Sequence, residues 1–230
     1  MRLFGAVLQL PGVEGPQLTW QQQFAKSWSE TGFMVWPLAL CLVLGIIVVV
    51  WKFISLTAKS ARTRRILKDV DELLTQRRIK EALELTRDSN SAAANILYAG
   101  LERADEGTDR VMKAIENQGL IEMSKLESGL VVLATLTNVA PLLGFLGTVI
   151  GMIIAFQSIE AAGEVEATLV AGGIKVALYT TAFGLMIAIP VSVGHNYFVS
   201  RIDALVIDME ESAQKMVDTL HAIQVGRAAD

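Results

Sequence analysis

The sequence has little of what a catalytic or metal centre requires. Among its 230 residues there are two histidines, one cysteine and only 7% aromatics. The lone Cys41 excludes an intramolecular disulfide, and neither a zinc-type ligand spacing nor a Walker-type phosphate loop is present. No Ser/His/Asp arrangement stands out either. We therefore expect no enzymatic activity, no cofactor, no metal and no nucleic-acid partner.

Charge is also missing, from three long stretches of the chain. About 20 apolar residues at 1.5 Å per residue span a hydrocarbon core of about 30 Å. The uncharged stretches contain 21, 32 and 25 residues: Thr31–Trp51, Ser128–Ile159 and Val176–Ser200. These lengths, and the absence of any strand pattern, predict an all-α integral membrane protein whose three transmembrane helices extend into the cytoplasm.

The remaining charges are segregated, which predicts the orientation. Residues 52–80 carry nine Lys/Arg against three acids, whereas residues 160–175 carry three Glu against one Lys. Basic loops stay in the cytoplasm, so the N-terminus is expected outside and the C-terminus inside. The predicted order is a periplasmic amphipathic helix at 1–30, membrane helix 31–57, cytoplasmic helical region 58–127, membrane helix 128–159, short periplasmic loop 160–173, membrane helix 174–200 and cytoplasmic helix 201–230.

The first 30 residues are interpreted as a retained helix. Their apolar run, Leu3–Leu10, is short, contains Gln9, and is followed by no small-x-small cleavage site. Trp20, Phe24 and Trp28 recur every four residues among polar side chains. This stripe is typical either of a helix at the outer membrane interface or of one that docks on the helix bundle.

Helical periodicity continues through the cytoplasmic region. Breaks are predicted at Ser89–Ser91, which can cap the following helix, and at Asp105–Gly107. From Thr108 onward the pattern predicts one continuous helix that enters the membrane as the second span. The stripe after the third span predicts that this helix also extends beyond the membrane.

The three spans differ in side-chain size. The first is bulky on every face, which favours a lipid environment. The second and third carry small residues at helical spacing, which let membrane helices approach closely. These predicted helix-packing residues are Gly144, Gly147 and Gly151 on the second span, and Gly173, Ala177, Gly184 and Ala188 on the third.

Three threonines and one histidine are the polar candidates within the spans. Thr148 lies beside the small face of the second span, and Thr180 and Thr181 lie mid-span on the third. They either bond back to their own helices or line a narrow, partly hydrated path. His195 is either a proton relay or, given its position six residues before Arg201, a structural residue at the interface.

Two long motifs resemble a known family. Residues 140–152, APLLGFLGTVIGM, are similar to the second-span signature of the MotA/TolQ/ExbB proton-channel proteins. Residues 173–178, GIKVAL, followed by TTAFGL at 180–185 and AIP at 188–190, are similar to the third-span signature. The specific match covers about residues 110–200, and the span order fits the ExbB/TolQ branch better than the MotA branch.

The resemblance implies a channel-scaffold subunit of an inner-membrane motor that uses proton-motive force. Its implied partners are further copies of the chain, in a homopentamer, and a single-span ExbD/TolR-like protein that supplies the ion-carrying carboxylate. Protons are the implied transported ion, and work is delivered to the outer membrane or envelope in biopolymer transport. Thr148 and Thr181 match the family's pore-facing threonines. Val176 stands where the family usually has a glutamate.

Two alternatives remain open at this point. Val176 leaves no acidic residue in any span, which is compatible with a structural scaffold that assembles with a partner but is not energised. A small-molecule transporter is the other alternative, although such proteins usually show inverted repeats and broken helices, and the sequence shows neither.

The orientation can be tested by cysteine labelling. In a chain with Cys41 replaced, single cysteines at Gln22 and Gly163 are expected to react with an impermeant thiol reagent in intact cells. A cysteine at Ser89 is expected to react only after the membrane is permeabilised. Labelling of the Ser89 position from outside would reverse the predicted topology.

Overall fold

The computed structural model of the protein describes residues 32–76, 78–89, 91–163 and 166–229. The predicted periplasmic helix at 1–30 lies outside these residues. Every regular element among the described residues is helical, with short 3-10 turns at Gly32–Met34 and Ala104–Glu106. The α-helices are α1 (Val35–Thr75), α2 (Ile79–Asp88), α3 (Ala92–Leu101), α4 (Thr108–Glu127), α5 (Leu130–Ala162) and α6 (Ala167–Ala229).

Three of these helices are long and apolar enough to cross a membrane. They are the segments Gly32–Thr75, Leu130–Ala162 and Val170–Ala222. Each covers most or all of one uncharged stretch, and α6 continues without interruption far beyond its apolar part, as the stripe in the tail predicts. The predicted all-α membrane fold is therefore confirmed.

Residue contacts divide the described chain into two compact units. The first unit comprises the described residues before Leu40 together with Leu142–Leu185. The second unit comprises Leu40–Pro141 and the described residues from Met186 onward. The first unit contains the glycines of both motifs.

In the second unit, α1 buries one face and exposes the rest. Cys41 and Leu56 are buried, whereas Ile46 and Ile47 are more than half exposed. A Cβ atom built on Gly45 would lie 3.0 Å from Cγ2 of Val191 on α6. The first span is thus bulky on its exposed faces, as expected, but not on every face, because Gly45 allows α6 to pack against it.

The helices α3, α4 and α6 form the core of the second unit. Ser91 caps α3, since its hydroxyl accepts a hydrogen bond of 3.2 Å from the Ala94 amide, which confirms the predicted capping. A Cβ on Gly100 would lie 3.0 Å from Ile115 of α4, so these two helices are in close contact. Glu122 is buried, and its Oε1 accepts a hydrogen bond of 2.9 Å from the Asn95 amide.

The second span does not continue α4. The helix ends at Glu127, and α5 begins at Leu130 after Ser128 and Gly129. Gly129 has φ of +87°, a conformation that side chains other than glycine's rarely adopt. The predicted continuous helix is therefore wrong here: a glycine in the left-handed region ends one helix before the next begins.

A buried lysine side chain binds backbone carbonyls at the break between α4 and α5. Lys52 of α1 is only 4% exposed, and its Nζ donates hydrogen bonds of 2.5 Å to the carbonyl of Leu126 and 2.7 Å to that of Ser128. The last carbonyls of a helix have no partner within it, and a cation near them also opposes the helix dipole. The ammonium group therefore caps α4 from a different helix.

Replacement of Lys52 by Met is expected to open the end of α4. The change keeps an apolar stem but removes two hydrogen bonds from a charged donor, each worth about 1.5–3 kcal/mol. Limited trypsin digestion, with fragments identified by mass spectrometry, should show cleavage after Lys125 accelerated at least tenfold. Lys59→Met is the control on the same helix, and equal cleavage in both variants would refute the capping role.

Candidate functional site

The site is built on the close approach of α5 and α6 in the first unit. A Cβ on Gly144 would lie 2.9 Å from the carbonyl oxygen of Thr180 and 3.1 Å from Cα of Thr181. One on Gly151 would lie 2.8 Å from the carbonyl oxygen of Gly173. Contacts this short are not compatible with any side chain, so backbone packs directly against backbone.

The same closeness is seen from the side of α6. A Cβ on Gly173 would lie 2.6 Å from Cβ of Ala155. Ala177 and Gly184 are buried, and Cα of Gly184 would lie 3.3 Å from a Cβ on Gly144. The small residues predicted for helix packing in this unit are thus brought together within one chain.

Thr180 fills the space that Gly147 leaves. Its side chain is completely buried, and a Cβ on Gly147 would lie 2.7 Å from its Cγ2. The hydroxyl donates a hydrogen bond of 2.7 Å to the carbonyl of Ala177 in its own helix. Packing accounts for this position, and the pore-lining role of Thr180 stays a prediction.

Thr181 makes the one polar bond between the two helices that is recorded in the described part of this unit. Its hydroxyl donates to the carbonyl of Gly144 at 3.2 Å, and the side chain remains half-buried. Thr148 is also half-buried, but its hydroxyl donates to the carbonyl of Phe145 in its own helix at 2.6 Å. These two threonines keep part of their surface accessible, unlike Thr180.

The third span carries no acid near these hydroxyls. Val176 is half-buried, one residue before Ala177. The ammonium group of its neighbour Lys175 lies 5.7 Å from the centre of the Tyr179 ring, one helical turn away. Lys175 thus lies close to an aromatic ring, and Val176, where the resemblance implies a glutamate, is apolar.

The remaining two candidates lie in the second unit. Ala188 is buried, consistent with a packing position on α6. The Nδ1 atom of His195 lies 3.4 Å from the side-chain oxygen of the adjacent Asn196, on an exposed part of the helix. This placement fits an interfacial histidine better than a relay enclosed by other spans.

One element of the site was not found from the sequence. The backbone carbonyl of Gly144 is the acceptor for Thr181, and Gly144 was selected only for its small size. Its contact with α6 depends on how the two helices are rotated about their axes. Gly144 and Thr181 each lie on the small-residue face of a helix, and this shared position is the sequence signal that could have predicted their contact.

Comparison with known proteins gives one family. The model of the MotA/TolQ/ExbB proton channel family matches residues 88–211, which is more than half of the chain. The matched region includes α4, α5 and the first part of α6. Both glycine-rich motifs therefore lie inside it.

Individual relatives agree with the family match. The chain is 29% identical to biopolymer transport protein exbB1 of Vibrio cholerae over 72% of this chain and 74% of the relative. It is 33% identical to an ExbB homolog of Methanothermobacter thermautotrophicus over 70% of this chain and 57% of the relative. For the Tol-Pal system protein TolQ of Haemophilus influenzae the values are 34%, 54% and 53%. The match thus spans little more than half the length of two of these relatives.

Two neighbouring glycines provide a matched test of the helix contact. Gly173→Ala introduces a methyl group against Ala155 and is expected to destabilise the protein by about 1–3 kcal/mol, the usual range for overpacking. Gly172→Ala has no atom within 4 Å of the new Cβ, and is expected to be neutral or stabilising by up to about 1 kcal/mol.

Thermal unfolding followed by circular dichroism in one detergent measures the difference. A lower midpoint for Gly173→Ala and an equal or higher one for Gly172→Ala is the expected pair of results. Equal midpoints for the two variants would show that α5 and α6 are not held at this distance.

Proposed function

We propose, since this chain belongs to the MotA/TolQ/ExbB proton channel family, that it is the channel-scaffold subunit of a complex driven by proton-motive force. In this proposal the complex lies in a bacterial inner membrane and transfers energy to the outer membrane or envelope. Relatives named for biopolymer transport and for the Tol-Pal system support this kind of role. The proposal assigns no enzymatic activity to the chain.

The observation that carries the proposal is the hydroxyl pair at the tight contact of α5 and α6. Thr181 bonds across to Gly144, and Thr148 lies one turn further along α5. The adjacent glycines leave no room for larger side chains, so Thr181 lies between closely packed backbones, while Thr148 borders the glycine face of α5. Half-buried hydroxyls in such a place can hold water along a proton path, because their lone pairs remain free to accept hydrogen bonds.

The chain needs a partner to carry the proton. A threonine hydroxyl does not titrate near neutral pH, and none of the three uncharged stretches contains an acid. A charged side chain in the middle of a span costs about 2.5–3.5 kcal/mol on insertion scales, so carboxylates persist there mainly where they function. We therefore assign the proton-carrying carboxylate to a single-span partner of the ExbD/TolR type.

The assembly and orientation follow the same proposal. A homopentamer would surround the membrane helices of the partner, with the N-terminus in the periplasm and the C-terminus in the cytoplasm. Rotation or displacement of the partner relative to the ring would then couple proton flow to work. Thr148 and Thr181 are the residues that we place along the path.

Val176 supports a second candidate function. Because the position of the family glutamate is apolar and half-buried, the chain is also compatible with a scaffold that assembles with a partner without proton coupling. The two candidates differ in whether the complex conducts protons, which the following experiment measures.

Thr181→Val is expected to lower proton flux about fivefold while assembly is retained. The substitution preserves side-chain volume but removes one hydrogen-bonding group, worth about 1 kcal/mol. The measurement is proton uptake into liposomes under an imposed potential, with the chain alone and with its partner. The chain alone is expected to conduct no protons.

Two further variants make the result specific. Thr181→Ser keeps the hydroxyl and is expected to conduct like the wild type, whereas Val176→Glu is expected to be tolerated. Absence of uptake in the wild-type complex would favour the scaffold candidate. Strong uptake by the chain alone would contradict the assignment of the carboxylate to the partner and would direct attention to His195.

A further inference from the structure

A polar cleft in the second unit lies outside the proposed proton path. It has a volume of about 500 Å³ and opens between α1 and α4. Its lining is rich in hydrogen-bond donors, and the main residues are Trp51, Lys52, Ser55 and Lys59 from α1 and Ser124 and Lys125 from α4. Ammonium and hydroxyl groups on two helices thus surround one concave surface, with a single indole beside them.

The cleft lies where two apolar stretches end. Trp51 is the last residue of the first uncharged stretch, and Ser128 is the first residue of the second. The hydrogen bond of 2.7 Å from Lys52 Nζ to the Ser128 carbonyl holds these two ends side by side. For helices that cross a membrane, this is the level at which hydrocarbon gives way to headgroups.

The three lysines of the cleft differ in how deeply they are buried and in which groups they bind. Lys52 is buried and held by two carbonyls, and the other charged groups that act on it are Lys59 and Glu127. Lys125 forms an ion pair of 2.7 Å with the buried Glu122. Lys59 is exposed and is therefore the cation of the cleft best placed to meet a ligand from outside.

The surface beside the cleft is apolar. The side chain of Trp51 is 55% exposed, and that of Val131, at the start of α5, is 74% exposed. Tryptophan is enriched at membrane interfaces because its ring is amphipathic. A ligand that fits this arrangement has an anionic head for the lysines and serines and an apolar part that continues along the membrane face.

We propose that the cleft binds the phosphodiester headgroup of an anionic membrane phospholipid, with Lys59, Lys52, Ser55 and Ser124 around the phosphate and Trp51 beside the ester region. Basic pockets between membrane helices on the cytoplasmic side bind such headgroups in general. The lipid fills the angle between α1 and α4 next to the Ser128–Gly129 break. The proposal requires membrane insertion only, and it is independent of proton coupling.

Fluorescence quenching at Trp51 tests the proposal in the full-length chain. Trp20→Phe, Trp28→Phe and Trp36→Phe leave Trp51 as the only indole. This protein is reconstituted in bilayers of a zwitterionic phospholipid mixed with an anionic one, either of which is brominated near the carboxyl end of its acyl chain. Comparison of the two quenching curves gives the preference of the Trp51 surroundings for the anionic lipid.

The expected result is a preference for the anionic lipid that falls about fivefold in Lys59→Gln, the factor that corresponds to about 1 kcal/mol for one lysine near an anionic surface. Lys68→Gln, with the same loss of charge elsewhere on α1, is expected to retain the preference. Ser55→Ala is expected to weaken it without a change of charge.

Three results would overturn the proposal. The first is equal quenching by the two lipids in the Trp51-only protein. The second is an equal loss of preference in Lys59→Gln and Lys68→Gln, which would reduce the effect to general surface charge. The third is removal of the preference by inorganic phosphate at a concentration that leaves bilayer surface charge unchanged, since the cleft would then bind the free anion rather than a lipid.

Discussion

The contact between α5 and α6 determines the positions of the candidate site residues in the first unit. Within lipid, apolar side chains gain nothing by leaving one apolar environment for another, so helices associate through dispersion forces and short polar contacts. Both require closeness, and Gly144, Gly147, Gly151 and Gly173 provide it by having no Cβ. The bond from Thr181 to the Gly144 carbonyl exists only at this separation. The small residues and the hydroxyl therefore depend on each other. The glycines allow a short distance between the helices, and only at that distance can the Thr181 hydroxyl reach a carbonyl of the other helix.

In the second unit, the main constraint is that α4 has to end close to the membrane. The last carbonyls of α4 lack partners, and Gly129 prevents α5 from continuing the same helix. From α1, Lys52 binds the Leu126 carbonyl of α4 and the Ser128 carbonyl just beyond it, and thereby joins the ends of two apolar stretches. Its charge is held by helix-end carbonyls, which explains how a lysine that follows 21 uncharged residues can be almost completely buried. The same contact forms one side of the polar cleft.

The sequence predicted those features that depend on local chemistry. Three uncharged stretches were sufficient to predict three long helices, and Ser91 was recognised as a cap because capping involves residues only three apart. The left-handed Gly129 was missed because a helical pattern precedes it and an apolar run that itself favours a helix follows it. The burial of Lys52 was missed for another reason. The carbonyls that accept its hydrogen bonds lie more than 70 residues away in the sequence, and the residue pattern within α1 does not indicate them. At the candidate site the spacing predicted which residues are small, but the pairing of Gly147 with Thr180 depends on how the two helices are rotated.

The direction of the hydroxyl bonds limits the proton chemistry under the proposed function. A threonine hydroxyl has one proton to donate and lone pairs that accept. The Thr148 hydroxyl donates a hydrogen bond to the carbonyl of Phe145, and the Thr181 hydroxyl donates one to the carbonyl of Gly144, so both present only acceptor lone pairs to a third group. Acceptors stabilise a carboxyl group that carries its proton, whereas an ionised carboxylate needs donors. In the proposed complex, a partner's carboxyl group in contact with these hydroxyls would therefore be stabilised in its neutral form, and it would have to move away from them, or meet water, to release the proton. Such a site would hold the protonated partner until the partner moves, so release of the proton would be coupled to displacement, which is what the proposed motor requires.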